Sequence, residues 1–254
     1  MLDIKLKGPQ FVISEEIRLH NIKIFTSEIA DGNMSYKFGA KEQVDANHQR
    51  FFETHGVNPH KVVYMQQVHG SRIGVVKRPQ LRKNTDGLIT KTPNLWLAVY
   101  HADCIPLFFI HQTPSATSDV ATGGNIGIGV AHVGWRGATN GLVGKMVAEM
   151  VKHFKCDPAN IAVKFGPFIC EKHYDVASDD QRIKILPTGS APKEGRIGIN
   201  LKKAVVDQLV KAGVKQEHID STTECTAELP VSYWSYHHTH EKIGGVMVSV
   251  VGLS

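Results

Sequence analysis

The stretch Ile126-Gly-Ile-Gly-Val-Ala-His-Val-Gly-Trp-Arg-Gly137 decides the fold, because a strand and a helix meet in it. Its first half is short and β-rich and ends in polar and glycine residues, which predicts a strand buried in a sheet. After Gly137 the apolar residues recur every three or four positions, which predicts an amphipathic helix that ends before Pro158. A buried strand that leads through a glycine turn into a helix indicates a protein of mixed α and β structure.

The same signals continue on both sides of this stretch. Helices are expected over 42–54 and from the capping residue Asn200 to Gly213. Two segments are interpreted as loops: a glycine-containing hairpin over 117–125 and an extended polar loop over 177–196 that could cover a site. Strands and helices do not alternate strictly, which predicts the α+β class, a single layered α/β domain over 1–254 with mixed β-sheets flanked by helices. The remaining predicted strands cover 11–13, 22–25, 61–65, 95–100, 161–165 and 246–251.

Composition excludes several classes of protein. Of the 254 residues, 42% are apolar and 21% charged, which is typical of a folded globular chain and not of a disordered one. No apolar run approaches the ~20 residues of a membrane-spanning helix, and the N-terminus has no secretory layout. The net charge of +5 is dispersed, whereas nucleic-acid binding requires a clustered basic stripe. An anionic small molecule is compatible with this charge, and we expect a small-molecule partner, neither nucleic acid nor membrane. The four cysteines are expected to be free thiols of a cytoplasmic protein.

The chain has 14 histidines, more than folding requires. Imidazole is the most common metal ligand and acid/base group in proteins, so we expect the functional site among the histidines and cysteines. His69, Cys104 and His132 each lie at or just beyond the end of a predicted strand. If those strand ends share one edge, two imidazoles and one thiolate converge. A His₂Cys set with an open fourth position is typical of catalytic zinc. The alternative is that each histidine is a hydrogen-bonded structural residue.

Other residues near these three have two interpretations each. Arg136, beside the glycine turn, could bind an anion together with helix-start amides, or pair with a carboxylate. Gln67 could contact substrate or close its turn. Asp103 could transfer protons or orient its loop, and Asp86 is interpreted as a turn former. His101 is a spare ligand candidate, and the run 237–240 is interpreted as a solvated loop.

The order of these motifs resembles a known family. The chain is similar, from about Met34 onward, to the laccase-domain family, also called multicopper polyphenol oxidoreductase or purine nucleoside phosphorylase. The combination of the motifs is specific, whereas each alone is weak. They are Gln67-Val-His-Gly70, Thr85-Asp-Gly-Leu-Ile-Thr90, Ala102-Asp-Cys-Ile-Pro106, Ala131-His-Val-Gly-Trp-Arg-Gly137, Gly166-Pro-Phe-Ile169 and Glu224-Cys-Thr226.

The resemblance implies a zinc-dependent purine nucleoside phosphorylase with zinc ligands and catalytic residues at His69, Cys104 and His132. Adenosine, inosine, guanosine and methylthioadenosine would react with phosphate to give the base and ribose 1-phosphate, and adenosine would also be deaminated. Zinc is expected rather than copper, because only one His₂Cys set lines up. Arg136, Gln67 and Asp103 are the expected substrate and phosphate contacts.

The chain departs from the family pattern at three places. Phe168 stands where the family often has cysteine. Ser235-Tyr-His-His238 replaces the usual Ser-Tyr-Arg-Arg, and Ile243-Gly-Gly245 replaces the usual Thr-Gly-Arg. If the replaced arginines help to hold an anion or fix the closing strand in the family, this chain lacks that part of the phosphate site.

Three other functions compete with this interpretation. Cys104 could be the thiolate nucleophile of a metal-free cysteine hydrolase, with His132 or His69 as its base. The chain could be a non-enzymatic metal-binding or envelope-associated interaction module, which predicts an exposed apolar patch. It could also be a copper-dependent, laccase-like polyphenol oxidase, whose activity would rise with copper.

Overall fold

A computed structural model describes residues 22–112, 126–189, 194–221, 223–239 and 243–253. Within them the helices are α1 (Lys41–Thr54), α2 (Trp135–Thr139), α3 (Leu142–Phe154), α4 (Leu201–Lys211) and α5 (Tyr236–Thr239). The strands are β1 (Ile22–Thr26), β2 (Val62–Met65), β3 (Ile73–Val75), β4 (Leu81–Arg82), β5 (Gly87–Thr90), β6 (Trp96–His101), β7 (Ile105–Gln112), β8 (Ile126–Val133), β9 (Ile161–Phe165), β10 (Asp175–Ala177), β11 (Thr188–Gly189), β12 (Arg196–Ile199), β13 (Ile219–Asp220) and β14 (Met247–Leu253). They form three sheets with both parallel and antiparallel pairs, so the mixed α/β class is confirmed.

The largest sheet has six strands in the order β13-β9-β7-β8-β5-β3. Strand β7 lies inside it and pairs antiparallel with both β8 and β9. Its side chains alternate between two cores: Phe109 packs in the cluster that includes helix α3, and Phe108 packs in the cluster that includes strand β6. Apolar burial on both faces explains why this strand is wholly hydrophobic between Leu107 and Ile110.

The second sheet has five strands in the order β1-β14-β6-β2-β4. Helix α1 covers it, with Phe51 and Phe52 fully buried in the cluster that includes β6 and β14. Strand β6 ends at His101 in this sheet, and β7 begins at Ile105 in the six-stranded one. Residues 102–104 are therefore the crossover between the two sheets, and Cys104 lies in it.

Most of the predicted elements are present with small shifts of their ends. Helix α3 and strand β9 have the expected bounds, and Asn200 caps α4, its side chain accepting a hydrogen bond from the Lys203 N–H at 2.8 Å. The segments 11–13 and 117–125 lie outside the described residues. The predicted loop over 177–196 contains strand β11 and overlaps β10 and β12 only at Ala177 and Arg196, and these three strands form a small antiparallel sheet. Strands of two to four residues are too short to show an alternation of apolar and polar residues, so the sequence does not predict them.

The described helices were also considered as membrane spans. None of them combines the length and the apolar character that a bilayer crossing requires.

Candidate metal centre

His69, Cys104 and His132 lie together although they come from three separate parts of the chain. One ligand atom from each, two imidazole nitrogens and the thiol sulfur, lies within 4.8 Å of the others. The rings of His69 and His132 meet edge to face with their centroids 4.7 Å apart. His132 is buried, Cys104 is half-buried and His69 is exposed, so the group is accessible from one side.

Asp86 fixes the position of two of these three residues. Its carboxylate accepts backbone N–H bonds from Val68 (3.2 Å), His69 (2.9 Å) and Gly70 (2.8 Å). The same carboxylate lies 3.1 Å from His132 Nδ1. His69 has a positive φ of 58°, an uncommon conformation for a residue with a side chain, and the three bonds to Asp86 hold it. A carboxylate on Nδ1 directs the other ring nitrogen, Nε2, toward a ligand.

Gly134 allows the close approach of the other residues. A Cβ atom at this position would lie 2.8 Å from Cys104 Sγ and 3.3 Å from His69 Cδ2. Its φ of −86° is ordinary, so the requirement for glycine is one of space. The turn between β8 and α2 therefore belongs to the wall of the centre.

The charges of the group depend on one another. Burial raises the pKa of Cys104, but the imidazoles of His132 and His69 lower it by more, to about 6. Burial lowers the pKa of His132, whereas the Cys104 thiolate and Asp86 raise it, to about 9. Burial raises the pKa of Asp86. Its contact with His132 and the hydrogen bonds that it accepts from the Gly70 and Val68 N–H groups lower this pKa by more, to below its usual range. The site thus favours a thiolate and a positive charge beside it.

This donor set fits a borderline-soft divalent metal. Two imidazoles and one thiolate, with one side open, are the ligand types and number found in catalytic zinc sites. The second interaction of His132, through Nδ1 to a carboxylate, is also typical of metal-binding histidines. The residues present therefore fit Zn²⁺.

The structure distinguishes the two interpretations of Gln67. Its amide donates to the Tyr100 carbonyl oxygen at 2.7 Å and accepts from the Tyr100 N–H at 2.8 Å. Both ends of this side chain are thus occupied by the backbone of β6. The contacts favour the turn-closing role over a substrate contact.

Asp103 is also held by the protein. Its carboxylate accepts hydrogen bonds from the Thr226 hydroxyl at 2.8 Å and from the His237 N–H at 2.9 Å. Its carbonyl oxygen accepts from the Ile169 N–H at 3.1 Å. These bonds favour the orienting role, and they hold the residue before Cys104 against two distant loops and helix α5.

Arg136 lies in the first turn of α2, and its guanidinium is placed over the Trp135 ring at 4.5 Å. Helix α2 has only five residues, so helix-start amides add little to an anion site there. A second guanidinium, that of Arg182, lies 5.8 Å from the same ring and 5.6 Å from the Tyr174 ring. Arg182 is paired with Asp180. Two cations therefore flank one indole.

Two predicted residues have different surroundings from those expected. His237 is half-buried, its ring 5.0 Å from the Tyr174 ring, so its part of the run 237–240 is not a solvated loop. His240 lies outside the described residues. His101 is buried and bonded through Nε2 to the Ser249 hydroxyl at 2.7 Å, which occupies one of its two possible ligand atoms.

Sequence reasoning missed Asp86 as the partner of His132, and it missed Arg182 and Tyr174. The signal for Asp86 was present: an acidic residue directly before a strand, in a chain with strand-end histidines. Arg182 and Tyr174 gave no signal, because their positions depend on the small sheet of β10, β11 and β12.

Comparison with known proteins adds the family. The family model described as multi-copper polyphenol oxidoreductase laccase matches residues 23–254. A purine nucleoside phosphorylase of Corynebacterium glutamicum is 30% identical over 210 residues, 80% of each chain. The purine nucleoside phosphorylase YlmD of Geobacillus stearothermophilus is 30% identical over 207 residues, 79% of this chain and 70% of that protein.

Solved structures agree with the sequence comparison. The crystal structure of YlmD from Geobacillus stearothermophilus has a TM-score of 0.79 at 26% identity and covers 92% of both chains. That of the Bacillus licheniformis protein YfiH has a TM-score of 0.72 at 27% identity, over 87% of this chain and 85% of that chain. With a family match that extends over nearly all of its length, this chain belongs to the multi-copper polyphenol oxidoreductase laccase family.

Proposed function

We propose that this chain is a zinc-dependent purine nucleoside phosphorylase that also deaminates adenosine, with His69, Cys104 and His132 as the zinc ligands. The observation that carries the proposal is the meeting of these three donor atoms within 4.8 Å, open on one side. Relatives that bear the name purine nucleoside phosphorylase support the reaction class. Free thiols at all four cysteines agree with the cytoplasmic location that we propose.

Phosphorolysis requires phosphate to attack the anomeric carbon of the ribose while the bond to the purine nitrogen breaks. The purine leaves with the electron pair of that bond, and the products are the free base and ribose 1-phosphate. A bound Zn²⁺ would supply Lewis-acid stabilisation of developing negative charge. The protein must then bind phosphate and hold the nucleoside against it.

Arg136 is the proposed phosphate-binding residue. It is exposed and its guanidinium lies over the Trp135 ring, which limits its motion and pre-orients its N–H donors for a tetrahedral anion. Arg182, whose guanidinium lies 5.8 Å from the same ring, is paired with Asp180.

Asp103 and Gln67 are proposed to position the centre. Through Thr226 and His237, Asp103 fixes the crossover from which Cys104 projects. Gln67 ties the His69 loop to β6 through two bonds to Tyr100. Both residues thereby keep the ligands in place while substrate enters on the exposed side, next to His69.

The reaction is tested with zinc-loaded protein and inosine or adenosine, each with and without phosphate. For phosphorolysis, we expect hypoxanthine from inosine only when phosphate is present. For deamination, we expect inosine from adenosine even when phosphate is absent. Cys104→Ser and His132→Asn should lose both activities, whereas Cys156→Ser and His153→Asn, which alter residues of the same types elsewhere, should keep them. Ligand variants as active as the parent would refute the proposal.

The same assay separates the competing functions. Activity that survives complete chelation would favour a cysteine hydrolase at Cys104, and phenol oxidation that appears only with copper would favour the oxidase. Arg136→Gln is expected to raise the KM for phosphate about tenfold or more, since a charge-assisted hydrogen bond contributes about 1.5–3 kcal/mol. Arg78→Gln, a change at an exposed turn, is the matched control.

A further inference from the structure

A second group of metal-ligand side chains lies in the molecule, apart from the ligands described above. It consists of Cys170, His173, Cys225 and Glu228, whose four donor atoms all lie within 4.8 Å of one another. Cys225 is buried, Cys170 and His173 are half-buried, and Glu228 is exposed at the rim. None of these four residues is needed for the proposed phosphorolysis.

We propose that Cys170, His173, Cys225 and Glu228 form a second, structural metal site that takes Zn²⁺. Four ligands that include two thiolates and one imidazole are typical of closed structural zinc sites. The proposal rests on the distances between the donor atoms, the way in which the backbone presents them, and the number of acceptors around one nitrogen.

Four of the six distances between the donor atoms are close to the edges of a tetrahedron around zinc. His173 Nδ1 lies 3.2 Å from Cys170 Sγ, 3.7 Å from Cys225 Sγ and 3.6 Å from Glu228 Oε1. Cys170 Sγ lies 3.7 Å from Glu228 Oε1. With metal–ligand bonds of about 2.0–2.3 Å, a tetrahedral site has ligand–ligand edges of about 3.4–3.8 Å. Three of the four distances fall in that range, and the fourth needs only a small adjustment.

The backbone presents the ligands in two matching turns. Cys170 and His173 are three residues apart in one turn, closed by the His173 N–H to the Cys170 carbonyl oxygen at 3.1 Å. Cys225 and Glu228 are three residues apart in the other, closed in the same way at 3.2 Å. An isolated bridge between Phe168 and Cys225 brings the two turns side by side. Close pairs of ligands on adjoining turns are a common arrangement in small zinc sites.

Hydrogen bonds can join these four atoms only in pairs. Two sulfurs and one carboxylate oxygen surround His173 Nδ1, but a ring nitrogen carries at most one hydrogen and can donate it to one acceptor. In addition, the Cys170 N–H donates to Cys225 Sγ at 3.2 Å, so this sulfur is held at a fixed place beside the other three atoms. A cation at the centre of the four atoms would satisfy all of them together.

The site would have a defined structural effect. The residues next to its ligands bind Asp103: the Thr226 hydroxyl donates to the carboxylate, and the Ile169 N–H donates to the carbonyl oxygen. A metal that joins the two turns would therefore stiffen the support of the crossover that carries Cys104. The second site would thus stabilise the position of Cys104 in the candidate active site.

The test uses the full-length chain with Cys104→Ser, which removes a ligand of the first centre, so that failure of the proposed function does not affect the outcome. We expect about one Zn²⁺ per chain after gel filtration. Titration with Co²⁺ should give a thiolate charge-transfer band and the visible bands of tetrahedral cobalt. Adding Cys170→Ser or Cys225→Ser should lower the affinity more than about 100-fold, beyond the 10- to 100-fold effect of losing an outer partner. Cys156→Ser, a third cysteine outside the group, should change nothing.

Two surface variants guard against misfolding. His173→Asn and Glu228→Gln alter accessible side chains and should weaken Co²⁺ binding while the melting temperature of the chelated protein stays the same. No stoichiometric metal in Cys104→Ser, or equal binding in the Cys170 and Cys225 variants, would overturn the proposal. So would one thiol instead of three in the unfolded Cys104→Ser chain, which would show that Cys170 and Cys225 form a disulfide.

Discussion

Replacing Asp86 by asparagine tests how the candidate metal centre of His69, Cys104 and His132 is built. One carboxylate oxygen of Asp86 accepts from the His69 N–H and faces His132 Nδ1, and the other accepts from the Val68 and Gly70 N–H groups. Asparagine keeps one acceptor oxygen and puts an NH₂ group at the other position. In either orientation of the amide, the NH₂ group replaces an oxygen that accepted or faced two partners, so those two partners lose their acceptor.

The more favourable orientation of the asparagine keeps the oxygen toward His69 and His132. The N–H groups of Val68, an exposed residue, and Gly70, a half-buried one, then lose their acceptor. Because water can reach this loop, we expect a loss of about 1–3 kcal/mol in the unfolding free energy, less than the cost of two fully buried donors. His132 also loses a charged partner. Loss of such an outer partner lowers metal affinity about 10- to 100-fold, or about 1.4–2.7 kcal/mol.

Two measurements separate these effects. Urea unfolding of the metal-free protein gives the stability change, and competition with a chromophoric chelator gives the Zn²⁺ affinity. Asp157→Asn is the control, because Asp157 is exposed and accepts one backbone N–H, that of Ala159. It should cost about 1 kcal/mol or less and leave the affinity unchanged.

The reasoning fails in two recognisable ways. If Asp86→Asn is as stable as the parent, the three backbone bonds do not hold the His69 loop. If stability falls but Zn²⁺ affinity does not, the contact with His132 Nδ1 has no part in metal binding.

Three further predictions test the packing and the charges. Gly134→Ala should weaken Zn²⁺ binding about tenfold or more, because the new methyl would lie 2.8 Å from Cys104 Sγ. Gly144→Ala is the control: Gly144 lies in helix α3 with open space around it, so alanine there should raise stability by roughly 0.5–1 kcal/mol in urea unfolding. Phe108→Ala removes a fully buried ring from β7 and should cost about 3–5 kcal/mol in the same assay; a loss below about 1 kcal/mol would contradict the assignment of β7 to the core. His101 has a pKa near 3 in the folded chain because burial disfavours its charged form, so the unfolded chain takes up the proton first. Between about pH 6.5 and 3 this group should remove up to ~1.4 kcal/mol of stability per pH unit. The stability advantage of the metal-free parent over His101→Gln should shrink between pH 7 and 5, whereas His60→Gln, at an exposed position, should follow the parent.

The elements that the sequence predicted well are those specified by local signals. Helix α3 shows its apolar period within 13 residues, and α4 begins at a capping asparagine and is followed by Gly213, whose φ of 95° requires no side chain. Strand β7 was missed, because a strand buried on both faces has no alternation and Pro106 near its start suggests an interruption. The sheet pairings that place it in the centre are not local.

The same distinction holds for the sites. Strand ends were enough to select His69, Cys104 and His132 as candidates. The role of Asp86 depends on a contact with a residue 46 positions away, and the second cluster joins two turns whose cysteines are 55 positions apart. In each case a short polar residue in a turn is ordinary by itself, and only the tertiary fold shows its partners.

The charges of the first centre explain why its residues belong together. A half-buried thiolate and a buried carboxylate, Cys104 and Asp86, place two negative charges close together, and removing such charges from water without compensation is costly. In the metal-free protein a proton on His132 compensates one of them, which is why the pKa of His132 rises to about 9. A divalent cation would balance both charges, and it would take the place of that proton on the imidazole. The raised pKa of His132 and the fit of the site to Zn²⁺ thus have one cause, the excess negative charge that the fold collects between β5, β8 and the crossover.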